Sequence, residues 1–166
     1  MKKITALLIA IIILSVPVCA FAAKPTEGKM GIGMQIGGTP TIKYFFTKDF
    51  AAEGGLGLTS SAGASTMGLM GRGLWTLSSR ENVSLYAGGG LNYSSVPAGA
   101  VTISTFTFTG IVGIEVPVSI LSPSITLSVE IYPLSFSSSG TGGTSTTTFT
   151  ILSGSNVIIS SMHYYI

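Results

Sequence analysis

His163 is the only histidine of this 166-residue chain and its only ordinary candidate for a general base near neutral pH. Ser161 lies two residues away, and Glu130 is the nearest carboxylate with the same strand parity in the preceding strand. A serine, a histidine and a carboxylate are the set required for acyl hydrolysis: nucleophile, base, and the group that orients the base. A single histidine does not make a zinc site. The single cysteine, Cys19, sits in the apolar leader, so cysteine chemistry and disulfides are not expected. Gly31-Ile32-Gly33 and Gly88-Gly89-Gly90 are not phosphate loops, because no helix follows them; glycines within strands serve close packing or curvature. The other chemistry-bearing residues are scattered charges: Lys29, Lys43, Glu53, Arg72, Glu115 and Glu130.

The elements that carry these residues are strands. The segment from Lys29 to Gly37 alternates strictly, with Met30, Ile32, Met34 and Ile36 on one face and Lys29, Gly31, Gly33, Gln35 and Gly37 on the other. The same period recurs over about 27–37, 40–47, 50–59, 66–77, 83–94, 101–116 and 125–136. An eighth strand is clearest over 156–166, with pairing beginning near Thr147. Pro133 predicts a bulge or strand end. Lys48-Asp49 and Ser79–Asn82 read as compact charged turns, whereas Ser60–Ser65, Ser95–Ala100 and Ser137–Thr146 read as uncharged loops.

Composition decides which face is outside. Charged residues are 8% of the chain, against about 25% in soluble proteins. Beyond the leader no apolar run approaches the ~20 residues of a membrane helix. High hydropathy without a spanning helix points to a transmembrane β-barrel, the other architecture that satisfies every backbone group in lipid. A soluble lipid-binding barrel would alternate too, but it would need a charged exterior. Here the strand charges share parity with glycine and threonine, so the expected barrel has apolar residues outside and charges inside. Eight strands leave a lumen just wide enough for side chains. Unpaired charge there is costly, so the charges are expected to pair and plug it.

The chain begins with Lys2-Lys3, continues apolar from Ile4 to Val18, and reaches Ala20-Phe21-Ala22. This pattern predicts a signal peptide over 1–22, cleaved to leave one barrel domain over 23–166. Lys2 and Lys3 leave with it, so acidic and basic residues balance. A basic nucleic-acid surface is thereby excluded.

With its leader and alternating strands, the chain resembles the small eight-stranded outer-membrane barrels of the outer-membrane protein A and X kind. The C-terminal residues Met162, Tyr164 and Ile166 match the alternating apolar ending that such barrels present to the barrel-assembly machinery, with Ile in place of the usual terminal Phe. The resemblance implies an all-β, eight-stranded antiparallel up-and-down transmembrane barrel in the bacterial outer membrane. Its partners would be outer-membrane lipid and the assembly machinery; a monomer is expected. His163, Ser161 and Glu130 also resemble the residue set of the lipid A deacylases, which are barrels of this size. In this chain the set falls in the lumen, whereas acyl chains are reached from the lipid face, so no catalytic residue, metal or cofactor is expected.

Four inward residues, Lys43, Glu53, Arg72 and Glu130, count to similar depths and are expected to form one cluster. Lys29, Glu115 and His163 are secondary lumen charges. Tyr44, Phe46, Trp75 and Tyr164 share outward parity near the periplasmic strand ends and are expected at the membrane interface. The functional expectation is a non-enzymatic structural or surface-interaction protein. A narrow pore or transporter of small apolar molecules is the alternative, and a lipid-modifying enzyme comes after that.

Overall fold

The computed structural model describes residues 27–36, 38–61, 64–80, 83–118, 122, 124–141, 144–151 and 158–166. The signal-peptide expectation for 1–22 lies outside them. The described chain forms nine strands and no helix: β1 (Met30–Gln35), β2 (Thr39–Phe45), β3 (Phe50–Ser61), β4 (Ala64–Arg80), β5 (Val83–Ala98), β6 (Val101–Pro117), β7 (Ile125–Thr141), β8 (Thr144–Ile151) and β9 (Ile158–Tyr165). All neighbouring pairs are antiparallel, and pairing of β9 with β1 closes the sheet into a barrel.

Nine strands fill eight positions in the wall. β8 pairs with the second half of β7, from Leu134 to Thr141, and β9 pairs with its first half, from Ile125 to Ile131. The expected eighth strand is thus present in two pieces.

The strands are longer than the alternation of large apolar residues predicts. Ser60, Ser61, Ser95 and residues Ser137–Thr141 belong to strands rather than loops, as do Thr144–Thr146. Hydroxyl pairs across the β6–β7 ladder contribute to this extension: Thr105 to Ser139 and Thr107 to Ser137, each at 2.9 Å. Such pairs stabilise a sheet without any apolar contact. The β1–β2 hairpin is the exception. It turns back beyond Gln35, with Gly38 at φ 87° and its N–H donating to the Gln35 carbonyl at 3.0 Å. The wall is therefore low on this side and tall from β4 to β7.

One bulge has a legible cause. Gly110 pairs with Leu134 and Val112 with Ile131, so Tyr132 and Pro133 together oppose Ile111. Proline has no N–H for the ladder, and a bulge is where a strand accommodates it.

The two faces differ as the parity requires. Ile32, Ile42, Leu58, Leu69, Leu91, Phe108 and Met162 are exposed outward, while Lys43, Glu53, Arg72, Glu115, Glu130 and His163 are buried inside. The lumen is not wholly polar: Phe45, Ala51, Leu74 and Ile111 are buried there, packed with Tyr165 and Tyr86.

Inward glycines make room for inward rings. Gly31 is the register partner of Tyr165, Gly33 of His163, and Gly113 of Tyr86. In each pair the ring lies over the glycine: a methyl added at Gly31 would stand 2.6 Å from Tyr165, and one at Gly113 2.6 Å from Tyr86. At Gly33 the methyl would meet the backbone carbonyl of Met162 as well as the His163 ring. A backbone atom cannot rotate away, so Gly33→Ala is expected to cost about 1–3 kcal/mol. Gly54→Ala, whose new methyl finds nothing nearer than the Met70 carbonyl at 3.8 Å, is expected to change stability by less than about 0.5 kcal/mol. Urea unfolding in lipid vesicles measures both, and equal midpoints for the two variants would refute the close approach at Gly33.

Candidate functional site

The buried charges form two groups in the lumen. The larger centres on Arg72 of β4. Glu53 of β3 is its register partner and accepts from Nη2 at 2.7 Å. Glu130, reaching from β7 across the lumen, accepts from Nη1. Tyr132 stands 3.3 Å from the same Nη1. With its amide oxygen turned toward the guanidinium, Gln35 of β1 accepts from Nη2 at 2.8 Å. Only arginine offers a planar fork of donors that can hold two carboxylates from different walls at once.

Both carboxylates have further partners. Glu130 Oε1 accepts from the Tyr86 hydroxyl at 2.6 Å. His163 Nε2 lies 3.4 Å from Glu53 Oε1 and 3.0 Å from the Thr41 hydroxyl. Two buried nitrogens, Arg72 Nε and His163 Nδ1, have no hydrogen-bond partner among the described residues.

The second group lies nearer the ends of β2 and β9. Lys43 Nζ is 2.5 Å from Glu115 Oε2. Glu115 Oε1 accepts from the hydroxyls of Thr126 and Tyr165, each at 2.7 Å. The ammonium also stands 5.2 Å from the Phe45 ring centre and 5.3 Å from that of Tyr86, within cation–π range. Beside Lys43 and Glu115, Phe45, Ala51, Leu74 and Tyr86 line a cavity of only about 10 Å3. That is space for one water at most.

The structure therefore brings Glu53, Arg72 and Glu130 together and places Lys43 apart, with Glu115. Lys43 and Glu53 are register partners, but the Glu53 carboxylate is held by Arg72 with His163 beside it. The flexible lysine stem instead reaches Glu115 on β6, across the narrow lumen. Of the other expected lumen charges, Glu115 and His163 are buried, whereas Lys29 precedes β1 and is exposed. The residues missing from the sequence-based set are the neutral ones that complete the network: Gln35, Thr41, Tyr86, Thr126, Tyr132 and Tyr165. Tyr165 shares parity with His163, so its inward direction could have been found; its carboxylate partner, on a distant strand, could not.

The hydrolase-like set is not assembled. Ser161 shares a hydrogen bond of 2.5 Å with Ser128, Glu130 is held by Arg72 and Tyr86, and no hydrogen bond joins Ser161 to His163 among the described residues. His163 is 1% exposed. The described residues contain no group of acidic, histidine or cysteine side chains placed to hold a metal ion.

Tyr44, Phe46, Trp75 and Tyr164 all face outward and are exposed. Three of the sites where they stand join through Phe50: Tyr44 to Phe46 at 4.9 Å between ring centres, Phe46 to Phe50 at 6.0 Å, and Phe50 to Trp75 at 4.3 Å. Met162 and Ile166 are exposed on the same outward face as Tyr164.

No protein-family model, curated protein or solved structure matches the chain.

The pairing predicts unequal effects of two arginine substitutions. Arg72→Ala leaves Glu53 and Glu130 buried without their cation, an expected loss of about 3–5 kcal/mol. Arg80 is exposed at the end of β4, so Arg80→Ala is expected to cost less than about 0.5 kcal/mol. Arg72→Ala should also raise conductance across planar bilayers, because the plug loses its bulkiest cation. Identical urea midpoints with unchanged conductance would show that Arg72 does not hold the lumen closed.

Proposed function

We propose that this protein is an integral outer-membrane β-barrel with a plugged lumen, acting as a structural or surface-interaction component and not as an enzyme. One observation carries the reading: the barrel is inside-out. Its exterior exposes Met30, Ile32, Met34, Ile42, Leu56, Leu69, Leu91, Phe106, Phe108, Leu134 and Phe136, while ion pairs fill its interior. An apolar belt of that extent is stable against lipid and would drive association in water. The aromatic row from Tyr44 to Trp75 fits one membrane–water boundary. The reading includes export by the leader over 1–22, insertion by the barrel-assembly machinery through the Met162–Ile166 ending, contact with outer-membrane lipid, and a monomeric state.

The plug and the nearly filled floor around Lys43 and Glu115 weigh against the narrow-pore alternative. The engagement of Ser161 with Ser128 weighs against the lipid-modifying one. The extended Ser/Thr-rich strand ends, with both faces of β8 largely exposed, favour a wall that rises beyond the bilayer and is available for contact.

Two measurements test the reading. Mature protein is expected to fractionate with outer membranes and to migrate faster unheated than boiled on a detergent gel, as a compact barrel does. Recovery as a soluble monomer without detergent would overturn it. Trp75 is expected to fluoresce from interfacial depth in lipid vesicles; quenching by aqueous iodide as efficient as that of free tryptophan would remove it from the membrane boundary.

A further inference from the structure

Beyond the Arg72 group, on the side away from Lys43, the lumen opens into a cavity of about 340 Å3. This is within the size range of small-molecule sites, about 300–1,000 Å3. Its lining is uncharged, with hydroxyls and amides interspersed with apolar surface. Asn92, Thr107, Thr109, Ser135 and Thr150 line it with an amide and hydroxyls, and Gln35 and Tyr132 lie beside the plug. The apolar contributions are Met70, Ile159 and the ring of Tyr132.

No lining residue carries a charge at neutral pH. The nearest fixed charges belong to Arg72, Glu53 and Glu130; the guanidinium holds both carboxylates in ion pairs, and the three sum to a single negative charge set back behind the lining. An anionic ligand would find no free cation here, and a cationic ligand no carboxylate in the lining. A purely apolar ligand would strip water from the hydroxyls and amides without replacing their hydrogen bonds, at a cost for each group. Hydroxyl and amide side chains both donate and accept, so they match a ligand whose own groups do both. Met70, Ile159 and the Tyr132 ring supply surface for its C–H faces.

We infer that this cavity is a binding site for a neutral, polyhydroxylated molecule of sugar size. The inference rests on the outer-membrane barrel reading and gives its surface-interaction role a ligand class. Asn92 carries the recognition: it is half-buried and makes no hydrogen bond to another described side chain, leaving its amide for the ligand. Thr107 is already tied to Ser137 and contributes less. Tyr132, which lines the cavity and touches both Arg72 and Glu130, joins the floor of the site to the plug.

The test uses the full mature chain refolded in dodecylphosphocholine, a detergent without a sugar head group. Asparagine side-chain amide and threonine methyl signals are followed by nuclear magnetic resonance as D-glucose is added, then glucose 6-phosphate or 1-hexanol in separate titrations. Glucose is expected to shift Asn92, Thr107, Thr109 and Thr150 saturably and to leave the exposed Thr144 and Thr148 unmoved. Asn92→Leu is expected to weaken binding about tenfold, and the near-isosteric Thr107→Val about threefold. Glucose 6-phosphate and hexanol are expected to produce no saturable shift at these positions. An intact, heat-modifiable barrel whose spectrum glucose does not change would overturn the sugar site and leave the barrel reading standing. Equal or stronger binding of hexanol or glucose 6-phosphate would overturn the ligand class. A chain that yields no heat-modifiable barrel would overturn the barrel reading itself, and the cavity proposal with it.

Discussion

A closed sheet whose exterior is apolar has one place left for charge, and that place is narrow. Every ionised group buried in the lumen must find its counterion within reach of the opposite wall, because an unpaired charge there costs several kcal/mol. Arg72 meets this constraint for two carboxylates at once, one beside it on β3 and one across the barrel on β7. Tyr86 and Tyr132 extend the network, and three of the rings that enter the crowded lumen, Tyr86, His163 and Tyr165, have glycine opposite them. The Gly113–Tyr86 pair is thus a consequence of the ion network: without a glycine on β6, the phenol would meet a side chain where it now lies over Gly113 on its way to Glu130.

The division of charge into two groups follows from the same constraint. One arginine cannot serve three carboxylates. Lys43 and Glu115 form a separate pair, closed over by Phe45, Tyr86 and Tyr165. Aromatic rings there exclude water, and the phenol and threonine hydroxyls supply hydrogen bonds that water would otherwise provide. The apolar residues of the floor are therefore part of the electrostatics, since they decide how much solvent the ion pair sees.

Much of this was legible in the sequence because a strand has a period of two. Parity alone gave the inward direction of Lys43, Glu53, Arg72, Glu115, Glu130 and His163, and the outward direction of Trp75 and Tyr164. It failed where both faces of a strand are polar. From Ser137 to Thr146 serine, threonine and glycine follow one another without an apolar residue, so the pattern offers no contrast, and strand reads as loop. What orders part of that stretch is pairing with Thr105 and Thr107, residues distant in sequence. Partner choice across the lumen failed for a related reason. Counting residues from each turn estimates depth but omits the tilt and stagger of the strands. Lys43 therefore counted to the level of Glu53 and Arg72, although its long side chain ends at Glu115. The division of the eighth strand into β8 and β9 had no such periodic signature.

The short β1–β2 hairpin has a consequence for how the molecule comes together. From β3 to β7 each strand pairs with the next one in the chain over long ladders that need only local turns. The seam between β1 and β9 joins nearly opposite ends of the described chain and runs only from Gly31–Tyr165 to Gln35–Ser161. Loop-closure entropy must be overcome before that short ladder repays it, which makes it the natural last step of assembly. Until it zips, the curved sheet is an open trough in which Glu53 already lies beside Arg72, while Tyr165 and His163 have not swung in over their glycines. Ring closure and completion of the lumen network then become a single cooperative event, so that a seam which is weak by length is held shut by the residues it brings inside.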